Sequence, residues 1–145
     1  MQRVLAKSFI LLSFIGIIDA GYITVKAFTG GTVVCPLTGG CNGVLQSSYS
    51  HILGYPVALY GLLFYTLIFV LSFIFLDSNN KHIFTALTLL PTAGFLFTLW
   101  FLYLQAFVIG AYCFYCLVSA GLSTILFCFA LWARTQKGRL ETPTV

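Results

Sequence analysis

The sequence predicts an all-α membrane protein: a bundle of four transmembrane helices with a long outer loop that carries a short interfacial helix. Three observations predict it. The 145 residues are 60% hydrophobic and only 7% charged, with 15 Phe and a mean hydropathy of +1.02, whereas a soluble domain would carry about 25% charged residues. Four apolar runs each reach the roughly 20 residues that a bilayer demands. The charges gather at the ends of those runs and form no basic stripe, so the net charge of +4 does not point to nucleic acid.

The first run covers about Ser8–Phe28, the second about Pro56–Leu76, the third about Ile83–Phe107 and the fourth about Tyr112–Ala133. Pro56 opens the second, where its missing N–H costs nothing. The third is long enough to tilt or bend, and Pro91 inside it predicts a kink. A cleavable leader is the competing reading of Met1–Lys7 and the first run. The run continues past Asp19 to Phe28 without a small-x-small site, which favours a retained span. Residues 1–145 then form a single domain.

Positive charge gives the orientation. Arg3 and Lys7 precede the first span, Lys81 lies between the second and third, and Arg134, Lys137 and Arg139 follow the fourth. With four spans these share one side, and only Lys26 falls near the other. The positive-inside rule makes the shared side cytoplasmic. The expected location is therefore the cell membrane, with both termini cytoplasmic. The loop of about Thr29–Tyr55 and the turn Val108–Ala111 lie outside. Val44–Tyr49 is expected to form the interfacial helix, and Thr135–Val145 a loose polar tail. Tyr55, Tyr60, Tyr112 and Tyr115 read as an aromatic belt at the outer interface, and Trp132 at the inner one. Trp100 and Tyr103 lie deeper, as packing or as ligand contacts.

Four of the five cysteines fall on the outer side. Cys113-Phe114-Tyr115-Cys116 is a C-x-x-C at a helix start, with both sulfurs on one helical face. Free N–H groups and the macrodipole favour a thiolate there, and a thiolate is the nucleophile of disulfide exchange. Cys35 and Cys41 are separated by five residues, two of them Gly, and can close a small disulfide loop. Cys128 lies about 18 Å further along the fourth helix than Cys116 and reads as a small apolar residue. Two static disulfides and a four-cysteine zinc site are the other readings. A bridge between residues three apart constrains almost no chain entropy. The position of the C-x-x-C also favours a membrane-buried partner over a surface metal, so no metal is expected.

Together these residues resemble the vitamin K epoxide reductase family in its bacterial or archaeal membrane form. The resemblance covers nearly the whole chain. It includes the loop pair, the C-x-x-C at the entry to the fourth span, Cys41-Asn-Gly-Val-Leu-Gln-Ser47-Ser48-Tyr49, and Tyr55-Pro56-Val57-Ala58-Leu59-Tyr60-Gly61 with Phe64-Tyr65. Other four-span thiol oxidases place their C-x-x-C in the first outer loop, the reverse of the order here.

The resemblance implies a quinone-dependent thiol–disulfide oxidoreductase. Electrons would pass from a reduced thioredoxin-like partner through Cys35 and Cys41, then through Cys113 and Cys116, to ubiquinone or menaquinone in the membrane, supporting disulfide formation. The chain is too short for the thioredoxin-like domain that some members carry, so a separate partner protein is expected. Cys116 would face the quinone, and Ser47 would bond a quinone oxygen or cap the interfacial helix. The animal members have Tyr where this chain has Ala120 and Asn where it has Val57, which weighs against epoxide reduction. A vitamin K quinone or epoxide reductase remains the alternative enzyme, and a scaffold with structural disulfides the alternative outside enzymes. Asp19, the acid near the middle of a span, is a candidate for a proton path. His51 is read as solvated, or as a proton donor.

Overall fold

A computed structural model describes residues 2–36, 39–78 and 80–141, with side chains for 3–36, 39–78 and 80–136. Four helices long and apolar enough to cross a membrane dominate it. They are α1 (Gln2–Thr29), α3 (Val57–Ser78), α4 (Lys81–Tyr103) and α5 (Phe114–Glu141). Between α1 and α3 lie a short helix α2 (Cys41–Leu45), a 3₁₀ turn (Ser48–Ser50) and a two-stranded hairpin, β1 (His51–Ile52) with β2 (Tyr55–Pro56). A π-helical segment, Leu104–Ile109, extends α4.

The helices form a ring in which α1 packs on α3 and α5, and α4 on α5 and α3. Lipid is as apolar as leucine, so association depends on close packing and on small residues at the contacts. Gly16 shows this: a Cβ there would collide with the Tyr65 ring. Tyr65, Phe9, Ile68 and Leu126 form the centre of the core. Several polar groups inside it are satisfied. Tyr65 Oη bonds Ser119 O at 2.8 Å and Ser119 Oγ at 2.9 Å, while Ser13 and Ser72 donate to carbonyls of their own helices. Asn80 caps α4 by accepting from the His82 N–H at 3.0 Å.

Several expectations change. The interfacial helix begins at Cys41, three residues earlier than expected, and a 3₁₀ turn replaces its second half. A hairpin follows it, with Leu53 and Gly54 both at positive φ (54° and 83°), the backbone of a two-residue reversal. The second helix begins at Val57, because Pro56 is paired in β2. The third stays α-helical through Pro91 and becomes π-helical at Leu104–Ile109. Residues 135–141, expected to be loose, continue α5, while 142–145 lie outside the described residues.

Candidate active site

The chain direction of the four helices brings the end of α1, the start of α3, the end of α4 and the start of α5 together at one end of the bundle. All four cysteines of the two pairs lie there, in one cluster with Ile23, Val33 and Val44. Cys35 and Cys41 form a disulfide, with Cα atoms 5.9 Å apart. Cys113 and Cys116 are thiols. Cys35 is half-buried, Cys41 and Cys113 are fully buried, and Cys116 is half-buried.

Local sequence sets these positions. Asn42 clamps the loop by accepting from the Val33 N–H at 2.9 Å and donating to Val33 O at 3.4 Å. Tyr115 Oη donates to Val34 O at 3.3 Å, tying the residue before Cys35 to the start of α5. Gly40 packs directly on Tyr112; a Cβ at Gly40 would lie 2.7 Å from Tyr112 O and 3.1 Å from Tyr112 N. The residue before Cys41 therefore touches the residue before Cys113 through bare backbone.

Cys113 stands one residue ahead of α5, and its carbonyl accepts the first helical bond, from Leu117 N at 3.0 Å. A hydrogen bond from the Cys116 thiol holds the Cys113 thiol below its ordinary pKa. Burial opposes this, and the N–H groups of Cys116 and Tyr115 support it. The helix start thus favours the thiolate at Cys113.

Below the cysteines the four spans enclose a cavity of about 460 Å³, with Leu45, Ser50 and Ile52 of the loop among its wall residues. A cavity of this size holds a small organic molecule. Its wall is mainly apolar, with Phe64, Phe97 and Phe101 contributing rings. A Cβ at Gly94 would strike the Phe64 ring, so this glycine lets the ring lie against α4. Of the four paired cysteines only Cys116 lines the cavity. Asp19 also lines it.

Ser47 is not on the cavity wall. Its Oγ donates to Val44 O at 2.7 Å at the end of α2, while Ser50 lines the cavity in its place. Tyr60 and Tyr115, expected as interface residues, are wall residues, and Tyr60 Oη donates to Ile52 O at 2.9 Å. Trp100 and Tyr103 face outward and touch neither the cavity nor the core. His51 is exposed, with Nδ1 2.9 Å from Ser50 Oγ. Cys128 is exposed and lies outside the cluster. Val57 and Ala120 both line the cavity. Gln105 was not foreseen: it lines the cavity, and its Oε1 accepts from the Cys113 N–H at 3.0 Å. A lone amide in an apolar run was its only signal in the sequence.

A multi-pass helical bundle that gathers two cysteine pairs at one end, one pair reaching a lipid-level cavity, belongs to the class of membrane redox proteins. Residues 7–131 match the profile of the Vitamin K epoxide reductase family, and the chain belongs to that family. It is 36% identical over 121 residues to Thiol-disulfide oxidoreductase LTO1 of Arabidopsis thaliana, an alignment covering 76% of this chain and 31% of that protein. The chain thus spans about a third of the length of that curated relative. Membership of that family supports a membrane redox role for the chain.

Proposed function

We infer that the protein, read as one domain over residues 1–145, oxidises a dithiol carried on a thioredoxin-like fold and passes the electrons to a membrane quinone. The observation that carries this reading is the graded placement of the cysteines. Cys35 is partly open, Cys41 and Cys113 are buried in one cluster, and Cys116 lies on the cavity wall.

The donor thiolate attacks Cys35 of the Cys35–Cys41 disulfide and releases Cys41 as a thiolate. The donor's second thiol displaces Cys35, and two electrons have entered the loop pair. Cys41 then attacks Cys113 of an oxidised Cys113–Cys116 pair and releases Cys116. Cys35 resolves the Cys41–Cys113 bond, so the loop disulfide re-forms and the inner pair is left as a dithiol. That dithiol gives two electrons and two protons to the quinone, which leaves as quinol as Cys113–Cys116 closes. The favoured thiolate at Cys113 makes it a good leaving group when Cys35 resolves the Cys41–Cys113 bond.

Members of the family use quinones in general, and the aromatic, mainly apolar wall suits a quinone ring. Val57 and Ala120 on that wall supply none of the polar groups of the animal enzymes, which supports a simple quinone as substrate over the epoxide. The charge distribution supports termini in the cytoplasm and cysteines outside. Labelling intact cells with a membrane-impermeant maleimide after mild reduction should modify Cys35; modification only after permeabilisation would reverse the orientation.

The function is tested by purified protein with dithiothreitol, comparing decylubiquinone with vitamin K epoxide. The reading expects reduction of decylubiquinone that is lost in Cys116→Ala. Turnover with the epoxide alone would transfer the assignment to an epoxide reductase.

A further inference from the structure

Gln105 is a polar side chain that membrane packing leaves unexplained. It has no solvent exposure, although amides are costly to bury. Its Oε1 accepts from the Cys113 N–H at 3.0 Å. Because an N–H can only donate, that bond sets the amide's orientation and leaves Nε2 pointing elsewhere. Among the described residues, Nε2 is the buried side-chain nitrogen or oxygen atom with no hydrogen-bond partner. Native proteins rarely keep such an atom without a use. Gln105 also sits in the π-helical segment Leu104–Ile109, a geometry frequent at functional sites. It lines the cavity together with Cys116 and Phe101.

The wall's other donors are largely committed. Tyr60, Tyr115 and Ser50 donate to backbone carbonyls, while Tyr65 and Ser119 bond each other. Gln105 is thus the wall residue that keeps a buried donor without a partner, available to an occupant with an acceptor oxygen. The aromatic surroundings suit a planar ring bearing that oxygen.

We propose that Gln105 Nε2 donates a hydrogen bond to a ring carbonyl oxygen of the quinone and anchors it beside Cys116. This deepens the functional reading above and rests on it. The same amide holds the Cys113 N–H through Oε1, so one side chain connects the bound ring to the helix start that carries the reactive pair. The carbonyl oxygen gains negative charge as the ring is reduced, so a donor placed there helps more during the reaction than before it.

The test uses the full chain in detergent, with decylubiquinone as probe and two variants. Gln105→Leu is apolar and removes both ends of the amide with a shorter side chain. Gln105→Met keeps the bulk and removes both polar ends. Loss of the anchor should raise KM for decylubiquinone about tenfold in either variant, the scale of one buried hydrogen bond. Reduction of the Cys35–Cys41 disulfide by dithiothreitol should stay at the wild-type rate. The infrared carbonyl band of bound decylubiquinone should be lowered in wild type and return toward the free value in Gln105→Met. KM within twofold of wild type in both variants, or a band that Gln105→Met leaves in place, would overturn the anchor. A wild-type protein that binds decylubiquinone with a lowered, Gln105-dependent band yet does not reduce it would uphold the anchor and refute the proposed function. Absence of binding by wild type would overturn both.

Discussion

Gly40→Ala isolates the step between the two cysteine pairs. Gly40 has φ −86° and ψ 0°, a conformation open to alanine, so the substitution brings no backbone strain of its own. It brings a Cβ 2.7 Å from Tyr112 O and 3.1 Å from Tyr112 N. Ordinary contact begins near 3.4 Å, so the loop bearing Cys41 must retreat from the segment bearing Cys113 by several tenths of an ångström. The obstacle is backbone on both sides and cannot rotate aside. A misplacement of about 1 Å can cost roughly 10²-fold in a reaction that depends on alignment, so transfer from Cys41 to the inner pair should slow about tenfold or more. Rapid mixing of oxidised protein with a reduced thioredoxin-like protein, too bulky to reach the inner pair directly, followed by quenching and alkylation, would follow each pair separately. The Cys35–Cys41 pair should be reduced at the normal rate while reduction of Cys113–Cys116 lags. Gly39→Ala is the control: Gly39 has φ +62° and open space around it, so that variant strains the loop without wedging the interface. Transfer in Gly40→Ala within twofold of wild type, or equal slowing in both variants, would refute the reasoning.

Other outcomes follow from the same geometry. Cys35→Ala should block oxidation of a protein dithiol but spare quinone reduction driven by dithiothreitol, as read by coupled absorbance assays. Asn42→Ala removes both bonds to Val33, about 1 kcal/mol each, and should lower the thermal midpoint in detergent and speed proteolysis of the outer loop. Tyr65→Phe removes the hydroxyl shared with Ser119 and should cost about 1–2 kcal/mol, seen as a lower midpoint with little change in KM for decylubiquinone.

The four spans were legible because a bilayer demands long apolar runs, and such runs tolerate little ambiguity. The same uniformity concealed how they pack. A helix that is apolar all round has no stripe to show which side meets protein, so the outward placement of Trp100 and the inward placement of Tyr115 could not be read. Gln105 depends on the π segment, and no residue pattern in Leu104–Ile109 announces that change of register. The hairpin around Leu53 and Gly54 has strands of two residues each, too short for alternation to register. The cysteine pairs were legible from spacing and position. That they share one cluster depends on Gly40 and Asn42, whose roles appear only when the loop is folded back onto α5.

The central claim is that electrons leave the cysteines through a quinone. The most direct measurement is anaerobic oxidation of a reduced thioredoxin-like protein by the purified chain, with and without decylubiquinone. The account predicts one quinol formed per dithiol oxidised, and turnover that stops once the protein's own disulfides are spent when quinone is absent. Sustained dithiol oxidation without quinone, or quinol formation that persists in Cys116→Ala, would contradict it.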